Sequence, residues 1–295
     1  MNREMSAPME NVPVASRESA DASRQKNRRE SVPVIYYSDE KNDEFSGVTR
    51  NRFEIDGNYR YLHKNPLWKF AAFVFYRIIM TPIAFFWCKI KFHAKIVNRK
   101  AIRKIGKQGC FVYGNHTLMA GDAFFPSLVA FPKTTDVVVG SDNLAVPATR
   151  PFIEMAGAIP VPTQMSATRG FLNCLEKKIL LEHSVQIYPE AHIWPYYTGI
   201  RPFDSASFRY PIRFDAPVFC TTTTFQKRRG RTPRVTVFVD GPFYPDKTKS
   251  VRQQEKELRN AVYETMCRRA RENNTAEPIR YIRREKQQPL AGAED

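Results

Sequence analysis

The feature that most constrains this chain is the run NPLWKFAAFVFYRIIMTPIAFFWCKIKF at residues 65–92. Between Leu67 and Cys88 only Lys69 and Arg77 are charged. A helix crossing a bilayer needs roughly 20 apolar residues with few charges, so the length suffices. Arg77, however, falls near the middle, where a charge is costly in lipid, and Pro82 follows it. Lys69 and Arg77 share one face of a helix, being eight residues apart. This pattern predicts a helix lying in the membrane interface, or a broken helix that enters and returns. Trp68 and Trp87 suit the headgroup level, and Lys89, Lys91 and Lys95 are placed to meet anionic phosphates. The bland alternative is a buried core helix.

Charge supports a polyanionic partner. The formal net charge is +16, and it is uneven. Residues 1–50 hold eight Lys/Arg against nine Asp/Glu, and residues 226–295 hold seventeen against ten, so the middle carries about +10. Nucleic acid and an anionic membrane are the two general candidates. Nucleic acid leaves the apolar run unexplained and has no recognisable binding motif here, so no nucleic-acid partner is expected. The five cysteines are scattered without a CxxC pair, which predicts buried free thiols in a reducing compartment. The opening MNREMSAPMENVPV lacks the basic start and apolar core of a secretory signal.

Residues 1–60 are polar with little apolar periodicity and read as a disordered tail, with a locally basic RQKNRRE. The membrane-associating helical element follows at 65–92, then an α/β domain at 93–272 and a polar tail at 273–295. Within that domain GCFVYGN, TDVVVGS, SVQIYPE, APVFCTTTTF and RVTVFVDGP read as strands. AFFPSLVAF, MSATRGFLNCLEKKILLEH and residues 251–272 read as helices. The fold class is therefore α/β, with a mixed, mostly parallel central sheet flanked by helices.

In GNHTLMAGDAFFP, His116 directly follows a strand and Asp122 lies near a helix start. A general-base His needs one ring nitrogen free to take a proton. A carboxylate on the other nitrogen fixes the tautomer and balances the imidazolium. No Ser or Cys stands beside the pair, which suits activation of a hydroxyl on the substrate itself. Taken alone, a His and an Asp at this spacing are more often structural. In VQIYPEAHIWPYYTGIRPF, Glu190 closes a buried strand and His192 follows. No third ligand has metal-like spacing, so no metal is expected. The four threonines 221–224 read as an ordinary strand with hydroxyls facing polar loops.

Taken in order, these segments resemble the glycerolipid (1-acylglycerol-3-phosphate) O-acyltransferase superfamily over residues 65–245. Its N-H-x4-D block is matched by Asn115, His116 and Asp122, its Gly-led apolar strand by GAIPVP at 157–162, its Pro-Glu-Gly block by Tyr188, Pro189 and Glu190, and its Pro-led strand by Ala216, Pro217 and Val218. Three departures stand out. The first block is H-x5-D, one residue longer, with Gly121 placed to absorb a bulge. Thr163 and Ile193 occupy the positions of two family arginines implied to hold the acceptor's phosphate. Arg169, His192, Arg201 and Arg209 are the candidate substitutes.

The resemblance implies a fatty acyl group moving from acyl-CoA or acyl carrier protein, with no further cofactor, to a hydroxyl of a lysophospholipid-like acceptor. Lysophosphatidate is the default. His116 would be the base and Asp122 its orienter. Asn115, Thr117, Gly121, Glu190 and the four substitutes would shape the substrate site, with backbone N–H groups near Gly121 facing the oxyanion. The partners would be anionic membrane lipids, the thioester donor and a lysolipid, at the cytoplasmic face of a membrane, held peripherally or monotopically. The alternative is a non-catalytic lipid-binding or scaffolding protein on the same fold.

Overall fold

A computed structural model describes residues 32–47, 53–229 and 232–284. In chain order its elements are β1 (Val34–Tyr37), α1 (Pro66–Lys91), β2 (Lys95–Val97), α2 (Lys100–Lys104), β3 (Cys110–Gly114), α3 (Gly121–Val129), β4 (Thr135–Val139), α4 (Arg150–Met155), β5 (Ala158–Pro160), α5 (Thr168–Leu180), β6 (Ser184–Ile187), α6 (Arg209–Arg213), β7 (Val218–Gln226), β8 (Arg234–Phe243), α7 (Val251–Asn273) and β9 (Arg280–Arg283). Seven strands form one sheet in the order β2-β8-β7-β3-β6-β4-β5. Every neighbouring pair is parallel except β7 and β8. The fold class is the mixed, mostly parallel α/β arrangement expected.

Alternation along the central strands divides the core. Phe111 and Tyr113 of β3 join Val218 and Cys220 of β7 under α5 and α7, where Phe171, Leu175, Leu258 and Val262 pack. Cys110 and Val112 join Phe219 and Val237 on the other face, under α3 and α1, where Phe125, Leu128, Ala84 and Cys88 pack. All four of Thr221–Thr224 are buried. The expectation that they face polar loops is corrected. Their strand lies between β3 and β8 with both faces covered, and Thr224 Oγ1 donates to the Thr236 carbonyl.

Asp136 ties the sheet to α5. Its buried carboxylate accepts from Lys178 Nζ at 2.5 Å and pairs with His183 Nδ1 at 2.6 Å. Burial pushes this carboxyl up, but Lys178 and His183 outweigh it and hold it below the ordinary value. Gly157 closes the same corner at φ +92, where an added Cβ would sit 2.9 Å from the Thr135 carbonyl. A side chain there meets both backbone strain and a clash.

The apolar run is one helix rather than a returning pair. Asn65 caps it, accepting from the Leu67 N–H, with Pro66 in the first turn. Over Phe75–Met80 the helix widens to a π-turn, in which the Thr81 N–H bonds back five residues to Tyr76 O. Pro82 lacks an N–H and its ring would strike a carbonyl four residues earlier, and the wider turn relieves both. The inner stripe, Tyr76, Thr81, Ala84 and Cys88, is buried. The Tyr76 hydroxyl donates to Thr135 O and accepts from Thr135 N–H. Arg77 turns inward, donating to Pro132 O at 2.5 Å and Thr134 Oγ1 at 3.0 Å.

The outer face is apolar and exposed, including Leu67, Phe70, Phe73, Ile78, Phe86 and Ile90. Only 22% of the most apolar window is buried, which rules out the core-helix alternative. By length and composition this 26-residue helix is long and apolar enough to cross a membrane.

The expected tails are shorter than drawn. Residues 32–47 and 53–60 are structured, and β1 pairs in parallel with β9 from the other terminus. The strands VIYY and RYIR are four residues each, and the bonds that order them join segments far apart in sequence, so local pattern could not show them. Around them Tyr37, Phe45, Tyr197 and Tyr281 pack on the fully buried Trp194. Ile55 is buried with Leu144 and Ala167. Residues 1–31, including RQKNRRE, and 285–295 lie outside the described residues.

Candidate active site

His116, Asp122 and Tyr188 meet past the carboxyl ends of β3 and β6, beside that of β4, where open α/β sheets bind ligands. Asn115, the first residue past β3, clamps β7. Its Nδ2 donates to Thr223 O at 3.1 Å and its Oδ1 accepts from Thr223 N–H at 2.8 Å. Thr117 Oγ1 donates toward Trp194 O and Tyr197 O at 3.1 and 3.0 Å. The N–H groups of Trp194 and Tyr196 donate to His116 O and Thr117 O. Asn115 and Thr117 are thus buried positioning residues rather than substrate contacts, and they hold the backbone on either side of His116.

His116 Nδ1 lies 2.8 Å from Asp122 Oδ2, which also accepts from Leu118 N–H at 2.9 Å. A carboxylate facing Nδ1 makes that nitrogen the protonated one and leaves Nε2 to accept a proton. Burial pushes the Asp122 carboxyl up, while the His116 ring and backbone N–H groups pull it back. Tyr188 stacks on the imidazole at 4.6 Å between centroids, and its hydroxyl donates to Asp122 O at 2.7 Å.

A turn at Met119–Ala120 lies between His116 and the helix that carries Asp122. Gly121 is not in the left-handed region, which corrects the expected bulge. A Cβ there would come 2.8 Å from Leu118 Cβ, so close packing is what calls for glycine. The Asp122 N–H is spent on Leu118 O and does not face an oxyanion.

Glu190 is buried beneath the pair. Its Oε2 accepts from the His116 backbone N–H at 3.1 Å and its Oε1 from the Arg201 N–H at 3.0 Å. Burial raises its carboxyl, and the Arg201 charge opposes that rise. The Arg201 side chain is itself buried. It lies 3.5 Å from Glu190 Oε2, donates to Glu190 O and His192 O, and sits over the Trp194 ring.

The expected substrate arginines are corrected accordingly. Arg201 is an internal counter-ion. Exposed Arg209 pairs with Glu255 of α7, and exposed Arg169 stands at the start of α5. None of the three lines the cavity in front of His116. His192 does not line it either, and its Nδ1 faces Glu44 Oε2 at 3.1 Å.

That cavity has a volume of about 290 Å³. Val137–Val139, Met119, Ala123 and Ile193 form its apolar wall, and His116, Asp122 and Tyr188 its reactive side. Glu44, Ser46, Asp142 and Asn143 supply polar groups at its rim. Sequence reasoning missed these four and passed over Tyr188 except as a motif match. Glu44 and Ser46 arrive on the segment after β1, and no local signal marks them. Asp142 and Asn143 follow β4 directly, and the carboxyl-end rule could have raised them.

Among the described residues no Ser, Thr or Cys side chain hydrogen-bonds the His116 ring. The arrangement is a His–carboxylate pair open to a cavity, with no Ser, Thr or Cys side chain bonded to the ring among the described residues. It can deprotonate a hydroxyl that a ligand brings.

No protein-family profile matches the chain, and no curated protein matches it in sequence. Among solved structures it is similar to the 1-acyl-sn-glycerophosphate (LPA) acyltransferase PlsC from Thermotoga maritima. The identity is 14% and the TM-score 0.46, covering 70% of this chain and 83% of that one.

Proposed function

We propose that this protein is an acyltransferase moving an acyl group from a thioester to a hydroxyl of a lipid acceptor. The observation that carries the reading is the His116–Asp122 pair at 2.8 Å, opening on a cavity with no nucleophilic side chain bonded to the ring among the described residues. His116 Nε2 accepts the acceptor's hydroxyl proton as its oxygen attacks the thioester carbonyl. The tetrahedral intermediate then collapses, the C–S bond breaks, and the imidazolium returns the proton to the leaving thiolate. Asp122 holds the tautomer and balances the transient charge. Tyr188 keeps the ring plane by stacking. The donor is acyl-CoA or acyl carrier protein, whose thioesters place the reaction on the cytoplasmic side.

The purified full chain, given an acyl thioester and a panel of lysophospholipids and other lipid alcohols, should release free thiol and form an ester resolved by mass spectrometry. Folded protein that yields no product with any acceptor ends this reading.

The outer face of α1 supports work at a membrane surface. Fully burying a Phe or Ile side chain contributes roughly 1.5–3 kcal/mol, and such residues line that face. The double variant Ile78→Asp, Phe86→Asp should lose at least about tenfold in partitioning to anionic vesicles. Its melting temperature should barely move, because both side chains are exposed. Unchanged co-sedimentation would remove α1 as the membrane contact.

A further inference from the structure

A second cavity runs along the flank of α1. It has a volume of about 940 Å³ and shares no lining residue with the cavity in front of His116. The two lie at opposite ends of α3. Asp122 in its first turn faces His116, whereas Leu128 in its last turn lines the second cavity.

The walls of this groove divide by chemistry. Pro82, Phe85, Phe86 and Leu128 form an apolar side, and Phe85 and Phe86 continue into the exposed outer face of α1. Arg77, Lys89, Lys95, Arg99 and Arg234 form a cationic side, and among the described residues no Asp or Glu lines the groove. Arg77 and Lys89 stand on α1, Lys95 opens β2, Arg99 precedes α2 and Arg234 opens β8. The fold therefore gathers these charges from separate elements.

Their partners do not neutralise them. Arg77 donates to the Pro132 carbonyl and the Thr134 hydroxyl, neither of which is charged. Lys89, Lys95, Arg99 and Arg234 make no ion pair among the described residues. Exposed cations elsewhere do pair, as Lys41 does with Asp204, Lys249 with Glu257 and Arg280 with Glu277. Burial and the charge of Arg103, four residues on, hold the Arg99 guanidinium below its ordinary value. Like charges at that spacing oppose the folded state, and an anion in the groove relieves them. A soluble anion would engage the cations alone. A phospholipid engages both sides, its phosphate accepting from Lys and Arg and its acyl chain covering apolar surface.

We infer that this groove holds one anionic phospholipid, with its phosphate on the cationic side and an acyl chain along Phe85, Phe86 and Leu128. Basic pockets flanking a membrane helix recognise headgroups in this way. The ammonium of a zwitterionic headgroup would be repelled, so the net charge of the lipid decides. This lipid is distinct from an acceptor presented to His116, and the inference stands whether or not His116 transfers acyl groups.

Isothermal titration of the full chain with a short-chain phosphatidylglycerol, kept below its micelle concentration, tests this without a bilayer. One lipid should bind per chain. The matching phosphatidylcholine, and glycerol 3-phosphate as a headgroup without chains, should each bind at least about tenfold more weakly. The double variant Lys95→Glu, Arg99→Glu should weaken phosphatidylglycerol binding by at least about tenfold. Its fold should hold by circular dichroism, because Lys95 is exposed and Arg99→Glu turns a repulsion with Arg103 into an attraction. The control Arg252→Glu, Lys256→Glu makes the same change in net charge at exposed positions of α7. It should stay within a few fold of the wild type. Equal loss in the two double variants would mean general charge attraction. Equal affinity for glycerol 3-phosphate would mean a soluble-anion site. Either result overturns the inference. So does phosphatidylcholine bound as tightly as phosphatidylglycerol, phosphatidylglycerol binding that survives Lys95→Glu, Arg99→Glu, or no binding by the wild type.

Discussion

His116→Ala should reduce thioester-dependent acyl transfer by about 10²–10⁴-fold, the usual worth of a positioned general base. The fold should survive. The His116 side chain is 24% exposed at a cavity wall, so its loss opens no sealed core void. Asp122→Asn should come close to the same loss by another route. An Asn amide facing Nδ1 can donate to it, which moves the ring proton to Nε2 and leaves no base at the reacting nitrogen. The two residues act as a unit, so the double variant should fall little below either single one. Single-turnover kinetics beside a chemical melt distinguish these cases. Activity of His116→Ala within a few fold of wild type, in a folded protein, would mean that the pair is structural and that the chemistry lies elsewhere.

Arg201→Ala should cost about 3–5 kcal/mol of stability, the range for breaking a buried ion pair from one side. The guanidinium is fully buried and faces Glu190, which is 5% exposed. Its removal leaves the Glu190 carboxylate held by two backbone N–H groups alone, with its counter-charge gone. The carbonyls of Glu190 and His192 also lose their donor. Because Glu190 holds the His116 backbone, the damage should reach the site as well as the fold. Arg201→Lys should recover only part, since an ammonium cannot span the same set of acceptors. Urea melts read the effect. A shift below about 1 kcal/mol would show that the pair is bridged by water rather than buried.

The contrast between these two residues shows how much of the site the sequence revealed. The contact of His116 with Asp122 was readable because it is local, with a strand end, a turn and a helix start bringing the two side chains together. Arg201 was not, since nothing in RPF tells an internal counter-ion from a substrate ligand. Only its burial against Glu190 and Trp194 decides. Arg77 follows the same logic. In the sequence it is a costly charge in an apolar run, whereas in the fold it turns to Pro132 and Thr134 and leaves the outer face apolar.

What the sequence determined by itself was periodicity and order. The α/β class, the strands β3, β4, β6, β7 and β8, the long closing helix and the pairing of His116 with Asp122 all follow from spacings of a few residues, which local backbone geometry converts into shared faces. What only the tertiary structure decided was neighbourhood at long range. It paired β1 with β9, brought Glu44 and Ser46 to the cavity, joined Arg201 to Glu190 and laid α1 along the domain as one half-exposed helix. Those arrangements depend on which apolar surfaces exclude water together and which buried charges find partners.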